Sequence, residues 1–344
     1  MPVAIGMTTL PTIMRAVAAT GGLPLDDERA LADVELPLPE LRPRDLLVEV
    51  AAVSVNPVDL KTRMRRAADA PPVVLGFDAA GTVVAVGSDV TLFAPGDEVY
   101  HAGVINRPGT DAEYHAVDER LVGRKPANLS MAEAAAMPLT TITAWESLFD
   151  RFRLRADSSG TLLALAGAGG VGSILTQLAR QLTGVTVITT ASRPETQEWS
   201  RRMGAHHVLD HHGDLAASVR ELAPAGIDRV FTPSTAGRVP LFAEVVRPFG
   251  EIVAIDEDPD MDLRALKSKS IAWLWESMFT RGVYETPDMA GQHELLDAAA
   301  GHFESGRLVT TLTREIAGLD AAGLREAHEI VASGRSIGKV VVAR

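Results

Sequence analysis

From Thr161 onward the chain alternates short apolar runs with amphipathic stretches, and no other feature constrains its fold as strongly. TLLALAG is followed by SILTQLARQL, VTVITTA by PETQEWSRRMG, HVL by DLAASVRELA and IDRVFT by VPLFAEVVRP, and GEIVAI closes the series. Apolar runs short enough to be strands buried on both faces, each followed by a helix, predict a parallel doubly wound sheet. Upstream, Ser130 with Glu133 three residues on reads as a capping box that opens an Ala-rich helix over SMAEAAAMPLTTITAWESLFDRF.

The flanks have another rhythm. DLLVEVAAVSV and AAGTVVAVG are Val-rich and partly alternating, and NPVD, PP, APGD and NRPGT punctuate the apolar runs as turn signals. Short strands so separated predict a compact barrel-like β domain. From about Arg307 the β character returns in RLVTTLTREI and GKVVVA around one helix. A chain of 344 residues has room for two domains at roughly 150 residues each. The expected boundaries are 1–135 for the β domain, 136–304 for the α/β domain and 305–344 for the return to the first.

The first apolar run of the α/β series leads into AGAGGVGS, where Gly167, Gly169 and Gly172 give G-x-G-x-x-G. Following a strand and opening a helix, this is the dinucleotide fingerprint. Gly167 would permit the tight turn, Gly169 would admit a pyrophosphate and Gly172 would let helix and strand pack closely. Ala168, Gly170 and Val171 complete the loop, and the helix end behind it favours anions. An NAD site usually carries Asp or Glu about 20 residues on. Here Ala191 stands in that place, followed by Ser192 and Arg193. A hydroxyl and a guanidinium suit a 2′-phosphate, so the expected cofactor is NADPH.

The net charge of −12 argues against nucleic acid or an anionic membrane as partner, and the absence of cysteine removes disulfides and thiolate ligands. The start MPVAIGMTTLPTIMRAV has no basic stretch before an apolar one, which reads as cytoplasmic.

SVNPVDLK, GFDAAGTVVAVG, PGDEV, AAAMPLTTITAWESL and AGAGGVGS, in that order, resemble the medium-chain dehydrogenase/reductase superfamily from about Met14 to Val342. TASRPETQEWSRRMGAHHVLDH and WESMFTR are similar to its quinone oxidoreductase-like members often labelled zinc-type alcohol dehydrogenases. The resemblance implies an α/β protein with a GroES-like β-barrel catalytic domain and a Rossmann domain. Zinc-dependent relatives bind their metal through Cys, His and Cys. The matching places here are Asn56, Phe77 and a position near Leu139, and a zinc site needs at least three N, S or O donors. The implied enzyme is metal-free.

The resemblance places Asn56 at the nicotinamide and substrate end, Thr143 and Ile255 against the cofactor, and His211 beside the 2′-phosphate. Thr143 could equally be a helix-interior threonine, and His211 a solvated one. Lys61 stands where some quinone reductases have a tyrosine; it would orient an enolate, or else be a surface lysine or pair with Asp59. Tyr100 and His101 follow GDEV and are candidate proton donors. His206, His207, His211 and His212 lack a carboxylate or thiol at ligand spacing and read as surface residues. FTPSTAGR puts a proline and small residues where the nicotinamide approaches. The aromatic segment IAWLWESMFTRGVYETPDM could wall a pocket, build a dimer interface or fill the core.

Without zinc, alcohol oxidation loses its Lewis acid, whereas a bare NADPH site can pass hydride to a quinone or an α,β-unsaturated carbonyl. The expectation is a homodimeric reductase of such a small-molecule acceptor. A reductive cyclase, or a non-catalytic NADPH-binding sensor, would share the same cofactor loop.

Overall fold

The structure is a computed structural model that describes residues 10–344; the first nine residues of the expected β domain lie outside it. Its N-terminal strands are β1 (Ile13–Ala19), β2 (Leu31–Pro37), β3 (Asp45–Val55), β4 (Val73–Val74), β5 (Asp78–Val86), β6 (Glu98–Ala102), β7 (Tyr114–Asp118) and β8 (Val122–Arg124), with helix α1 (Pro57–Arg65) after β3. β3 coincides with DLLVEVAAVSV. It pairs with β5 on one edge and β7 on the other, and its faces are buried in separate apolar clusters, Val50, Val53 and Val55 in one, Leu46 and Val48 in another.

The helix expected from Ser130 forms with its capping box intact but stops early, as α2 (Met131–Ala135). Pro138 ends it: proline has no N–H to continue the ladder, yet suits the first turn of a new helix, α3 (Pro138–Trp145). A π-helical turn over Glu146–Arg151 then leads into the second domain.

That domain alternates β9 (Thr161–Ala164), α4 (Gly170–Leu182), β10 (Thr186–Thr190), α5 (Pro194–Arg202), β11 (His207–Leu209), α6 (Leu215–Leu222), β12 (Ile227–Thr232), α7 (Val239–Val245) and β13 (Val246–Ala254). β14 (Ala272–Trp275), inside the aromatic segment, adds a sixth strand. All pairings are parallel and the order is β11-β10-β9-β12-β13-β14, so strand order reverses at β9, the point where open α/β sheets form their ligand crevice.

After the short α8 (Thr280–Tyr284), α9 (Gly291–Glu304) leaves this sheet and covers the β domain: His293 Nδ1 donates to the Val122 carbonyl at 2.7 Å. The chain then returns through β15 (Leu312–Ala317), α10 (Ala321–Ala332) and β16 (Lys339–Ala343). β16 pairs parallel with β15 and antiparallel with β3, completing a seven-stranded sheet. One apolar core joins the domains, running through Phe77, Met137, Ile142, Leu162, Phe231 and Leu296. Among the described residues no helix is long and apolar enough to cross a membrane.

Candidate active site

A cleft of about 600 Å³ opens between the two domains. The β domain contributes Asn56 at the end of β3 and one face of α1, where Val58, Lys61, Thr62 and Arg65 recur at helical spacing. The ends of β12, β13 and β14 bring Pro233, Ile255 and Trp275, α3 brings Leu139, Thr140 and Thr143, and the glycine loop closes the far side.

In that loop the left-handed residue is Ala166, with φ 56°, so the tight turn falls one residue before the expected Gly167. The turn is pinned by Thr190, whose Oγ1 accepts from Ala166 N and whose carbonyl accepts from Gly167 N. Gly167 is needed for another reason: a Cβ there would stand 2.5 Å from Cβ of Thr189. At Gly172 it would lie 2.3 Å from the Ala166 carbonyl oxygen, which is the close helix–strand contact expected of the third glycine. At Gly169 a Cβ would meet only the Ala166 oxygen, at 3.4 Å, leaving the rest of that side open to the cleft. α4 begins at Gly170, so the unpaired N–H groups of its first turn face this opening. The arrangement fits the pyrophosphate of a dinucleotide.

Asn56 lines the cleft but has no free amide hydrogen. Its Nδ2 donates to Ser54 O at 3.2 Å and to Asp78 Oδ2 at 2.8 Å, and its Oδ1 accepts from Lys339 Nζ. Lys339 also bonds Asp78 Oδ2 at 3.1 Å, while Asp78 Oδ1 accepts the N–H of Leu139 at 2.6 Å. Asp78 and Lys339 are both buried. They were not among the expected site residues, although each leaves a signal: a carboxylate among the small residues of GFDAAG, and a lysine heading the apolar run VVVA, where a charge must be paired. Asp59 is buried below them and accepts the N–H of Asn56 at 2.7 Å. Burial, with Asp78 nearby, pushes its carboxyl up to about 7.

Lys61 is exposed on the cleft face of α1, and no carboxylate pairs with it among the described residues, since Asp59 points inward. Tyr100, expected as a catalytic residue, lies outside the cleft. It is fully buried, its hydroxyl donates to Leu296 O at 2.6 Å, and burial raises its phenol well above the ordinary value. Strand parity puts Tyr100 on the side of β6 that α9 covers. His101 points the other way and stacks on His115, Nε2 to Nδ1 at 2.9 Å, with burial keeping it neutral. Neither can donate a proton into the cleft.

Thr143 and Ile255 line the cleft, and the Thr143 hydroxyl donates back to Leu139 O at 2.8 Å. Ala191 is buried at the end of β10, with Ser192 and Arg193 half-buried behind it. Arg193 caps α5, donates from Nη2 to Arg335 O at 2.8 Å and pairs with Glu195 at 3.3 Å. His211 is exposed, its ring 4.6 Å from that of His212. His206 is structural: its Nδ1 accepts the N–H of Val187.

The aromatic segment divides its work. Trp273 packs in the Rossmann core, whereas Trp275, Met278 and Phe279 wall the cleft, with Phe77 4.7 Å from Phe279. The wall is held from behind by Arg281, which pairs with Glu146, with Asp150 at 2.9 Å and with Asp288 at 3.0 Å. Burial beside Glu276 holds the Glu146 proton far above the usual carboxylate range. Gln292 donates to both Glu146 and the Met278 carbonyl.

At the three places matched to zinc ligands, the chain offers a committed carboxamide, a phenyl ring and an alkyl chain. None is a zinc donor of the required kind. Among the described residues no cluster of three His, Cys, Asp or Glu side chains could hold a metal.

Residues 42–141 match the alcohol dehydrogenase GroES-like domain family, and residues 170–286 match the zinc-binding dehydrogenase family. A zinc-type alcohol dehydrogenase-like protein of Staphylococcus aureus is 46% identical over 304 residues, covering 87% of this chain and 90% of its own. A solved structure from Rhizobium etli, provisionally assigned as a zinc-dependent alcohol dehydrogenase, is 48% identical with a TM-score of 0.92, covering 96% of this chain and 98% of its own. The 2-methylene-furan-3-one reductase of Solanum lycopersicum is 38% identical over 212 residues, covering 59% of this chain and 53% of its own.

Proposed function

The chain belongs to the medium-chain dehydrogenase/reductase superfamily, and from that premise we propose that it is an NADPH-dependent reductase that passes hydride, without zinc, to a quinone or an α,β-unsaturated carbonyl. The observation that carries this reading is the meeting of the glycine loop and an apolar wall in one cleft whose would-be zinc ligands are Asn56, Phe77 and Leu139. Bound there, the cofactor would supply the hydride. The protein's share is to hold the phosphates on the first turn of α4, to seat an apolar acceptor against Trp275, Met278 and Phe279, and to keep water from that wall. The tomato relative, named for the reduction of a conjugated ketone, supports an acceptor of this class.

NADPH is favoured over NADH because no carboxylate ends β10 and Arg193 stands beside it. His211 would lie at the same 2′-phosphate end, and Thr143 and Ile255 at the nicotinamide end. The reading includes a cytoplasmic location and a homodimer; the homodimer is supported by β14, which among the described residues has no strand on its outer side and whose Trp275 is 49% exposed. The test is NADPH consumption with a panel of quinones and enones. Turnover with at least one class supports the reading; tight NADPH binding with no turnover on any acceptor would identify a cofactor-binding sensor instead.

A further inference from the structure

We propose that the Lys339 ammonium is the electrophile of this site, donating a hydrogen bond to the acceptor's carbonyl oxygen as negative charge builds there. The inference rests on the reading above and names the group that reading lacks.

Three cationic side chains line the cleft, Lys61, Arg65 and Lys339. Lys61 is exposed, and Arg65 is exposed and paired with Glu257 at 2.6 Å, so water screens both. Lys339 is 4% exposed. Its alkyl stem crosses the start of α4 so closely that a Cβ on Gly170 would stand 2.8 Å from its Cδ, which gives Gly170 a second role beside the cofactor loop. Its Nζ reaches Asn56 Oδ1, Asp78 Oδ2 at 3.1 Å and the Val55 carbonyl at 3.4 Å. Asp78 is itself anchored by Leu139 N, Asn56 Nδ2 and Ser54 Oγ, so the ammonium is fixed on a rigid partner.

Asn56 has spent both amide hydrogens and cannot serve an oxyanion. Of the three Lys339 hydrogen bonds, the one to Val55 is the longest, and an acceptor oxygen can take its place. The cation also stands among the residues matched to zinc ligands: it bonds Asn56 directly, and its partner Asp78 follows Phe77 and holds Leu139. A preorganised donor in a dry site stabilises developing charge strongly.

Hydride adds to the β-carbon, the C=C electrons shift, and the carbonyl oxygen becomes an enolate oxygen held by Lys339. The α-carbon then takes a proton from a solvent water, the hydroxide left behind is neutralised by a proton from bulk solvent, Lys339 keeps its own hydrogens and oxidised cofactor leaves.

The test uses 4-nitrophenol as an oxyanion probe on the enzyme–NADP⁺ complex, read by the visible absorption of the phenolate, with NADPH affinity measured separately. Wild type should bind phenolate over phenol. Lys339→Met should lose at least about tenfold in phenolate affinity with NADPH affinity unchanged, and should lose about a hundredfold in enone kcat. Lys339→Arg should recover part of the phenolate preference, which a purely structural lysine would not require. Equal phenolate binding by wild type and Lys339→Met, or parallel loss of phenolate and NADPH without rescue by arginine, would overturn the inference. If phenolate binding depends on Lys339 but no quinone or enone is reduced, the proposed function fails while the oxyanion site stands.

Discussion

Gly338 donates its main-chain N–H to the carbonyl of Ala168 at 2.9 Å, so the last strand of the β domain departs directly from the cofactor loop. The loop is therefore braced by both domains, and its glycines should fail in different ways on substitution. Gly172→Ala drives a methyl group into the Ala166 carbonyl and should lower Tm as well as NADPH affinity. Gly169→Ala adds a methyl on the open side, so Tm should hold while NADPH affinity falls. Thermal unfolding and cofactor titration of both variants check this. Equal loss of Tm in the two would contradict it.

Arg193 should distinguish the two cofactors. On the proposed reading, replacing it with alanine would remove a charge-assisted contact to the 2′-phosphate, and should weaken NADPH by about 10- to 100-fold while leaving NADH unchanged. Fluorescence titration with each nucleotide decides the matter. If NADH binds the wild type as tightly as NADPH, Arg193 does not read a 2′-phosphate.

Asp59 should make stability fall as pH rises. Its folded carboxyl titrates at about 7 against an ordinary 3.8, so between those values the folded protein holds a proton that the unfolded chain has lost. Stability drops through that window and levels above it. Asp59→Asn cannot ionise and should gain on the wild type by roughly 2–4 kcal/mol between about pH 4 and about pH 8. Unfolding of both proteins at the two ends of the window measures it; a pH-independent difference would mean that Asp59 does not titrate there.

Arg281 should act on the acceptor through the wall it braces. Arg281→Ala removes the guanidinium that ties Glu146, Asp150 and Asp288 together and frees the segment carrying Met278 and Phe279. The expected cost is about 1–3 kcal/mol of stability, with a raised KM for the acceptor and NADPH affinity unchanged. The KM split, measured at a temperature where the variant is folded, separates this from general unfolding.

Much of this architecture was legible because it rests on local patterns. β3 and the β9-to-β13 alternation follow from apolar runs of strand length, and the loop follows from glycines whose absent side chains the packing requires. What was not legible depends on partners distant in sequence. Tyr100 read as a candidate proton donor, because nothing near it shows that α9, almost two hundred residues on, will cover it. β14 hid inside an aromatic segment with no flanking turn signal, and the Ala-rich helix broke at Pro138. Lys339 and Asp78 stand 261 residues apart in the chain. Each is an isolated charge in an apolar run, and only the fold shows that they neutralise one another beside Asn56.

Zinc-free hydride transfer is tested by NADPH oxidation with a conjugated ketone before and after exhaustive chelation, with bound zinc counted by elemental analysis. Unchanged turnover by a protein holding far less than one zinc per chain is the predicted result. Stoichiometric zinc, with activity that disappears on chelation and returns with the metal, would contradict it.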